Sequence, residues 1–477
     1  MLSDDALLGI FDFYVDEGRE IKKDVEVWQV LVHVCRRWRS IVFGSPRRLN
    51  LQLFCTSRTS VRDMLDIWPA LPLFILDARY YPPRKGIDNT IAALKQRHRV
   101  CKIKFCASSS SDFKNVWAAM QEPFPELADI TLLALDIDAG IPDSFLGGSA
   151  PGLRCFKLDG IPFPGLPKLL LSTTHLATLC LKRTPHSEYT SPEVMVNCLS
   201  ALTNLETLAL EFEHPNPESR LPAPPTRSVL PALTNFEFTG AIEHWEDLVA
   251  RVDAPRLFHL SITFSHHYEV PFDTPHHVQF IGRTPSLDAP EKARITFGDE
   301  TVRVRLSSQT SGKGVLDVGI PSKFSTDRRL SNLAQICTSS LPPLSAVETL
   351  SIIDNRYFED FSQENIADKL WLDLLRPFAS VKNLCIHRET LPRIVPTLQK
   401  LVGGRTEVLP ILQNLFTGSC QPSRLVQEGI DQFASARQLS GHPITVSLWD
   451  RASEHEGVTH NRIVSSKSPP LSIVLSH

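Results

Sequence analysis

The chain has 477 residues, 42% of them hydrophobic, and its 50 Lys and Arg residues nearly balance its 53 Asp and Glu residues, which leaves a net charge of −3 at pH 7. This length allows several domains with a substantial core. The balanced charge argues against binding to nucleic acid or to anionic lipid, because both need a basic surface, and it favours a protein partner.

The 10 cysteines include no Cys-x-x-Cys pair. This spacing favours buried thiols in a reducing compartment over a disulfide framework or a zinc site. A signal sequence is not evident, and no apolar stretch approaches the ~20 residues that cross a bilayer. The sequence therefore predicts a soluble intracellular protein, in the cytoplasm or the nucleus, without a membrane partner.

Two helical segments are predicted in the first 48 residues. The first is a short helix that begins near Ser3 or Asp4, which are good N-cap residues. The second is a single amphipathic helix that is stopped by Pro46. Its apolar residues recur at helical spacing: Val27, Val30, Leu31, Val34, Cys35, Trp38, Ile41 and Val42. One face of a short module cannot bury all these side chains.

The pattern Leu2-x-x-x-x-Leu7-Leu8-x-Ile10-Phe11, followed by Val34-Cys35-x-x-Trp38, resembles the F-box of fungal-type F-box proteins. The resemblance covers about residues 2–43. It implies a module that docks on a Skp-type adaptor and so recruits a cullin-RING ubiquitin ligase. Together with the apolar excess, it assigns adaptor docking to a set of residues that must be shared in part with the core of the module: Leu2, Leu7, Leu8, Phe11, Val34, Cys35 and Trp38.

A repeat of the form apolar-x-x-apolar-x-apolar follows this module, with first positions separated by 23 to 29 residues. This period is close to that of leucine-rich repeats. The repeat thins out between residues 263 and 340 and then returns. Its copies are Leu71/Phe74/Leu76, Val100/Ile103/Phe105, Leu127/Ile130/Leu132, Leu153/Phe156/Leu158, Leu176/Leu179/Leu181, Leu205/Leu208/Leu210, Leu233/Phe236/Phe238, Leu257/Leu260/Ile262, Val315/Val318/Ile320, Val347/Leu350/Ile352, Val381/Leu384/Ile386 and Leu412/Leu415.

Helical stripes lie between these predicted strands, for example at Phe113, Val116, Trp117 and Met120. Strands alternating with helices predict an α/β fold with a parallel sheet. The body, residues 49–440, resembles the divergent leucine-rich-repeat-like solenoids that often follow an F-box. An unrelated α/β or α+β domain remains the alternative.

Several segments depart from the repeat. The Pro-rich stretch from Pro215 to Pro231 predicts an extended loop, and residues 264–344 predict an irregular insertion. The insertion contains a hairpin, formed by Ala293–Phe297 and Thr301–Leu306. A closing helix is expected around Val426 to Arg437, with Gly441 just after it. Residues 441–477 are expected to form a loose C-terminal tail.

The sequence contains no Gly-x-Ser-x-Gly elbow, Walker loop or His-Glu-x-x-His motif. Its only dense group of potential metal ligands is His266, His267, His276 and His277 in a Pro-rich loop. Adjacent His side chains point apart on an extended backbone, which disfavours a shared metal ion. We therefore expect a protein that is not an enzyme and that needs neither a metal nor another cofactor.

The resemblance and the repeats together imply a substrate-receptor subunit of a Skp-cullin-F-box ubiquitin ligase. A solenoid scaffold without ligase association is the main alternative, and a hydrolase that uses residues 264–344 is a more distant one. In a solenoid, the polar residues between apolar strand positions lie on the concave face, so the unknown protein target is expected there. The residues assigned to it are Lys104, Lys157, Lys182, Glu206 and Glu211, with Lys102, Glu237 and His259 on the same kind of position.

Overall fold

The computed structural model divides into two compact units, Met1–Glu218 with Ser228–Leu233, and Ser219–Arg227 with Thr234–His477. The structure describes residues 2–21, 27–46, 48–49, 51–56, 61–78, 87–107, 110–134, 140–184, 191–212, 227–265, 274–308, 313–321, 326–355, 368–401, 408–418 and 423–449. Most of the Pro215–Pro231 stretch and the tail after Trp449 lie outside these residues.

The first unit begins with three helices and continues with strands and helices in alternation. The helices are α1 (Asp4–Ile21), α2 (Val27–Val32), α3 (Arg36–Gly44), α4 (Val61–Ile67), α5 (Ile87–Leu94), α6 (Ser110–Ala119), α7 (Leu166–Ser172) and α8 (Pro192–Ser200). The strands are β1 (Leu53–Cys55), β2 (Leu73–Ala78), β3 (Val100–Ala107), β4 (Asp129–Ala134), β5 (Cys155–Asp159), β6 (Thr178–Thr184), β7 (Thr207–Phe212) and β8 (Ser228–Val229).

Strands β1 to β7 pair in chain order, and each pair is parallel. From β3 to β7, the middle apolar position of each repeat lies in register with that of the next, so that a buried row crosses the sheet through Ile103, Ile130, Phe156, Leu179 and Leu208. The helices cover this side of the sheet, as the edge-on contact between Phe105 and Phe113 at 5.4 Å illustrates. The predicted α/β fold with a parallel sheet is therefore confirmed.

The second unit contains ten strands and six helices in its described residues. The strands are β9 (Asn235–Gly240), β10 (Val252–Asp253), β11 (His259–Phe264), β12 (Lys292–Phe297), β13 (Thr301–Ser307), β14 (Val315–Pro321), β15 (Thr349–Asp354), β16 (Asn383–Ile386), β17 (Asn414–Gly418) and β18 (Thr445–Trp449). The helices are α9 (Ile242–Val249), α10 (Pro275–Gly282), α11 (Thr326–Ser339), α12 (Asp368–Leu375), α13 (Leu391–Lys400) and α14 (Arg424–Leu439).

The sheet of the second unit has the order β9-β11-β14-β13-β12-β15-β16-β17-β18. Its strands are parallel except β13, which runs antiparallel to both β12 and β14. The hairpin predicted within residues 264–344 is thus confirmed, and it supplies two further strands of the same sheet. The predicted closing helix is confirmed as α14, and Gly441 follows it with a φ of 81°.

One repeat copy was assigned to the wrong strand face. In β2 the buried side chains are Leu73 and Ile75, whereas Phe74 and Leu76 are half-buried. Residues 73–76 hold apolar side chains on both faces, so the triplet fits either phase and only the pairing decides between them. In β14, Val318 and Ile320 are buried as predicted, and only the first position of the copy is misplaced, because Val315 is half-buried.

The predicted single helix over Val27–Val42 is also wrong, because it is broken into α2 and α3 at residues 33–35. The β-branched residues Val30, Val32 and Val34 are weak helix formers, and Cys35 adopts an extended backbone that caps α3. In addition, α1 is longer than expected and reaches Ile21. Strand β18 lies within the segment 441–477 that was expected to be a tail, and β1 was missed.

Among the helices that the structure describes, none combines the length and the hydrophobicity that a bilayer crossing requires.

A buried polar contact links α9 to α10 in the second unit. Trp245 donates its ring N–H to Nδ1 of His277 at 3.2 Å, and the carboxylate of Glu246 accepts from the backbone N–H groups of His276 and His277. Burial lowers the pKa of His277 from 6.5 to about 4, although a nearby backbone group of Ser340 partly opposes this shift. His277 is therefore neutral in the folded protein at pH 7.

The unfolded chain takes up a proton at His277 as the pH falls through 6.5, whereas the folded chain does so only near 4. The free energy of unfolding should therefore fall over this window by up to about 3 kcal/mol at this site. We expect that His277→Gln, which keeps an acceptor for Trp245, flattens the dependence of Tm on pH between 7 and 4.5. The matched variant His276→Gln should retain the slope; equal slopes in the two variants would contradict the assignment.

Candidate functional site: an apolar surface on the N-terminal helices and an open sheet face

The N-terminal module is formed by α1, α2 and α3. Ser3 caps α1 as predicted, since its hydroxyl accepts from the backbone N–H of Ala6 at 3.2 Å. Arg37, in the first turn of α3, donates to the Asp4 carboxylate at 2.6 Å and to the carbonyl of Leu2 at 2.7 Å. These contacts hold the start of α1 against the start of α3.

The module has its own core. Phe11 is fully buried, and its ring lies 4.7 Å from the half-buried ring of Trp38. The indole N–H of Trp28 donates to the carbonyl of Gln52 at 3.2 Å, which ties α2 to the chain that follows the module. Other buried side chains of these helices are Leu7, Leu8, Leu31, Val32, Ile41 and Val42.

Several large apolar side chains nevertheless face outward from the same helices. They form what we call the apolar module surface, whose members are 41–67% exposed: Leu2, Ile10, Phe13, Tyr14, Val30 and Val34. Single exposed apolar residues are ordinary on a protein surface. Six on or beside three helices are more than a folded module of this size usually leaves in water.

The break between α2 and α3 creates the exposed corner of this surface. Cys35 has φ −159° and ψ 170°, and its Sγ accepts from the backbone N–H of Trp38 at 3.5 Å. Arg39 donates to the carbonyl of Val32 at 3.0 Å and thereby satisfies the end of α2. As a result, Val34 and Cys35 lie on the outside of a turn rather than along a helix face.

The residues assigned to adaptor docking fall into two groups. Leu7, Leu8 and Phe11 are buried in the module's core, whereas Leu2, Val34 and Cys35 are exposed and Trp38 is half-buried. The docking assignment left out Ile10, Phe13, Tyr14 and Val30. Ile10, Phe13 and Tyr14 recur at helical spacing, about a third of a turn around α1 from the buried residues, so the second stripe was present in the sequence.

A second surface is the open face, the strand positions of the first unit's sheet that alternate with the buried rows. Lys104 of β3 pairs with Thr131, which pairs in turn with Lys157 of β5, so the two lysines lie on one transverse row. Both are exposed. Adjacent strands are about 4.8 Å apart, which places the backbones at these two lysines about 10 Å apart.

The other residues assigned to target binding are more constrained. Lys182 of β6 is half-buried and pairs in the sheet with Asp159 of β5. Glu206 is exposed at the entrance of β7 and Glu211 is half-buried within it, and each has interactions within the chain. Lys102 forms an ion pair with Asp129 at 3.0 Å.

Aromatic residues border the open face at β1 and β2, and sequence reasoning missed them. The half-buried rings of Phe54 and Phe74 lie 4.9 Å apart, and Lys102 extends over Phe74 at 5.9 Å from the ring centroid. The wrong phase assigned to β2 concealed them, because it placed Phe74 in the core. The open face therefore offers an apolar edge beside its lysines.

In the second unit, Glu237 is exposed and His259 is half-buried on the corresponding strand face. Sequence reasoning also missed a group of arginines on that face. Arg303 crosses over Gly319 to reach Asp317 at 3.3 Å and the hydroxyl of Thr263 at 3.3 Å. Arg294 and Arg305 occupy directly paired positions of β12 and β13. Like charges in this arrangement repel each other.

The structure describes only half of the histidine group noted in the sequence. His276 and His277 lie in α10 rather than in an extended loop, and His277 is buried, while His266 and His267 lie outside the described residues. Across the ranges that the structure describes, no three His, Cys, Asp or Glu residues gather as a metal-binding group.

Three thiols of the first unit are weakly acidic. Burial raises the pKa of Cys155 and of Cys198 to about 11, and it also raises the pKa of Cys101. These groups remain protonated at neutral pH, so they behave as small buried side chains rather than as nucleophiles.

No protein-family model matches the chain, and no curated protein matches it. Among solved structures, it is similar to a crystal structure of a TLR13–ssRNA13 complex, at 12% identity and a TM-score of 0.30, with 83% of this chain and 46% of that chain covered. The chain thus spans less than half of that protein's length. At this TM-score, the likeness carries no inference about fold or ligand.

The contact between Phe11 and Trp38 leads to a prediction about the module itself. We expect that Trp38→Ala removes packing worth about 2–4 kcal/mol and loosens α1. Amide hydrogen exchange over residues 4–21 should accelerate, while the thermal unfolding of the rest of the chain shifts little. Val34→Ala, at an exposed position, should leave this exchange unchanged. If Trp38→Ala also had no effect, Trp38 would not be holding the module together.

Proposed function

We propose that the chain is a substrate-receptor subunit of a Skp-cullin-F-box ubiquitin ligase. The observation that carries the proposal is the apolar module surface. The three N-terminal helices already fill their own core with Leu7, Leu8 and Phe11, yet they keep Leu2, Val34 and other apolar groups in contact with water. An adaptor that covers these groups would bury them, as helical interfaces usually do.

The sequence pattern gives this surface a particular partner. Leu2, Val34, Cys35 and Trp38 belong to the stretch that resembles the F-box, and all four are at least partly accessible. Arg37 holds the start of α1 beside the start of α3, so Leu2 and Val34 flank one ion-paired corner. A Skp-type adaptor is the partner that this resemblance implies.

For the body, we propose a leucine-rich-repeat-like solenoid that holds the protein target on its open face. The support is the parallel pairing of β1 to β7, which is in register from β3 to β6, together with the regular spacing of their buried positions. Strands fix the backbone positions of Lys104 and Lys157. A partner with acidic groups could therefore bind them at little entropic cost beyond the ordering of the two lysine side chains.

The mechanism would be proximity. The module binds the adaptor, the open face binds the target, and a conjugating enzyme on the same assembly acts on a target held at high effective concentration. In this mechanism the chain performs no bond chemistry of its own. The alternative is a scaffold that binds no adaptor. The next experiment distinguishes the two.

The adaptor assignment can be tested by co-expression of the full chain with a Skp-type adaptor and affinity purification. We expect the wild-type chain to retain the adaptor, and Leu2→Asp with Val34→Asp to lose at least about tenfold in affinity, because a charge would enter a desolvated interface. Leu425→Asp, at an 80% exposed position on α14, is the matched control and should retain the adaptor. Absence of the adaptor from the wild-type purification would leave only the scaffold function.

The target surface can be tested by charge reversal on the open face. We expect Lys104→Glu with Lys157→Glu to reduce the ubiquitination of targets captured by the complex, since both charges lie on one row of the sheet. Binding of the adaptor should not change. Lys114→Glu with Lys168→Glu, at exposed positions on the helices α6 and α7, is the matched control. Normal ubiquitination by the open-face variant would contradict target binding on the open face.

A further inference from the structure

The hairpin of β12 and β13 carries four cationic side chains on one face of the second unit's sheet. We call them the arginine patch: Lys292, Arg294, Arg303 and Arg305. They alternate along the strands with buried apolar residues such as Ile295 and Val304, so they leave the sheet on the side opposite the core. Arg305 is exposed, and the other three are half-buried.

Arg303 is held in place within the patch. It donates to the hydroxyl of Thr301 at 3.2 Å, to that of Thr263 at 3.3 Å and to the carboxylate of Asp317 at 3.3 Å. Gly319 leaves room for this side chain, because a Cβ at that position would lie 3.4 Å from Cγ of Arg303. The Asp317 side chain is only 15% exposed and is engaged by this contact.

The patch has more cations than carboxylates to balance them. Asp317 pairs with Arg305 in the sheet, yet its ion pair is with Arg303. Within the described residues, Arg305 and Lys292 form no ion pair, whereas Arg294 has interactions within the chain. The patch therefore keeps an excess of positive charge, in a chain whose net charge is −3.

The fold does not depend on this excess of charge. Arg294 and Arg305 are directly paired, and like charges at such positions destabilise the pairing of two strands. The hairpin is held by its buried side, where Ile295 pairs with Val304. An anionic group bound between the two arginines would remove the repulsion.

We infer that the arginine patch binds an extended, acidic segment of a partner protein. Arg294 follows Lys292 by two residues, as Arg305 follows Arg303, and this spacing is about 6.6 Å along a strand. An extended peptide places alternate side chains on one face at the same spacing. A guanidinium group binds a carboxylate through two parallel hydrogen bonds, so arginine is well suited to such a segment.

Single-stranded nucleic acid is the main competing ligand, because its phosphates are also anionic. Proteins that bind it commonly stack the bases on aromatic side chains beside the basic groups. None of the described residues that pair directly with the patch in the sheet is aromatic: Thr296, Ser307, Asp317, Gly319, Thr349 and Ser351. The surface thus offers charge without rings for stacking, which favours an acidic peptide.

This binding does not depend on the proposed ligase function. The patch belongs to the second unit and shares no residue with the open face of the first unit's sheet. It can be measured on the full chain without an adaptor, so its failure would leave the adaptor assignment unaffected.

Fluorescence anisotropy with a labelled peptide of alternating Glu and Ser residues tests the inference on the full chain. We expect binding that weakens as the salt concentration rises, because the contacts are ion pairs near the surface. A peptide of the same length that repeats Glu-Glu-Ser-Ser has the same charge, but on each face of the extended chain its carboxylates recur at twice the spacing. It should bind less tightly.

Arg305→Gln should weaken binding of the alternating peptide at least about tenfold, since it removes a charge-assisted contact. Lys292→Gln should act in the same direction. Arg256→Gln is the matched control, because it removes an exposed charge of the same unit outside the patch, and it should leave the affinity unchanged. The Tm of Arg305→Gln should not fall, because the substitution relieves the repulsion from Arg294.

Equal affinity of the wild-type chain, Arg305→Gln and Lys292→Gln would overturn the inference. So would equal binding of the two peptides. Tighter binding of a single-stranded oligothymidylate of the same length, lost in Arg305→Gln, would also overturn it, since the patch would then be a nucleic-acid site.

Discussion

Each unit depends on one constraint, which is that a strand of a parallel sheet can bury its apolar positions only between its neighbours and the helix layer. The row through Ile103, Ile130 and Phe156 is possible because these positions pair directly from one strand to the next. Hydrogen-bonded side chains reinforce the same alignment in the second unit. There, Asn414 donates to Asn383 at 2.8 Å, and Asn383 donates to Thr349 at 3.3 Å.

The same constraint separates the two kinds of surface. Rows of buried side chains leave the alternate positions of each strand free to vary, so that lysines, threonines and arginines can occupy the open face without disturbing the core. The N-terminal helices are not subject to this rule, because three short helices have little interior to fill. Phe11, Trp28 and a few aliphatic side chains fill it, and the other apolar residues stay outside.

The sequence was sufficient for the strands whose apolar positions are flanked by polar ones. The triplets at Leu153 and Leu257 were placed correctly because polar residues, such as Lys157 and Ser261, stand between their apolar positions. The sequence was insufficient at Leu73 to Leu76, where every residue is apolar and the phase depends on a neighbouring strand.

The helix break at Cys35 could not be predicted from the sequence either, because the residues of α2 and α3 continue a single helical pattern. At the N-terminal module, a helical projection could have separated the inner stripe from the outer one, but the roles of these residues in binding do not follow from their positions.

The antiparallel strand β13 has a consequence for the order in which the second unit can form. After β11 the chain crosses to β12, which leaves a gap two strands wide, and β13 and β14 then return to fill it. A nascent chain that ends before residue 315 therefore exposes two strand edges with nothing between them. Sheet growth cannot proceed from one repeat to the next here, and pairing of β11 with β14 must bridge a long intervening segment, which slows folding. During synthesis, this is the stretch most exposed to incorrect edge pairing.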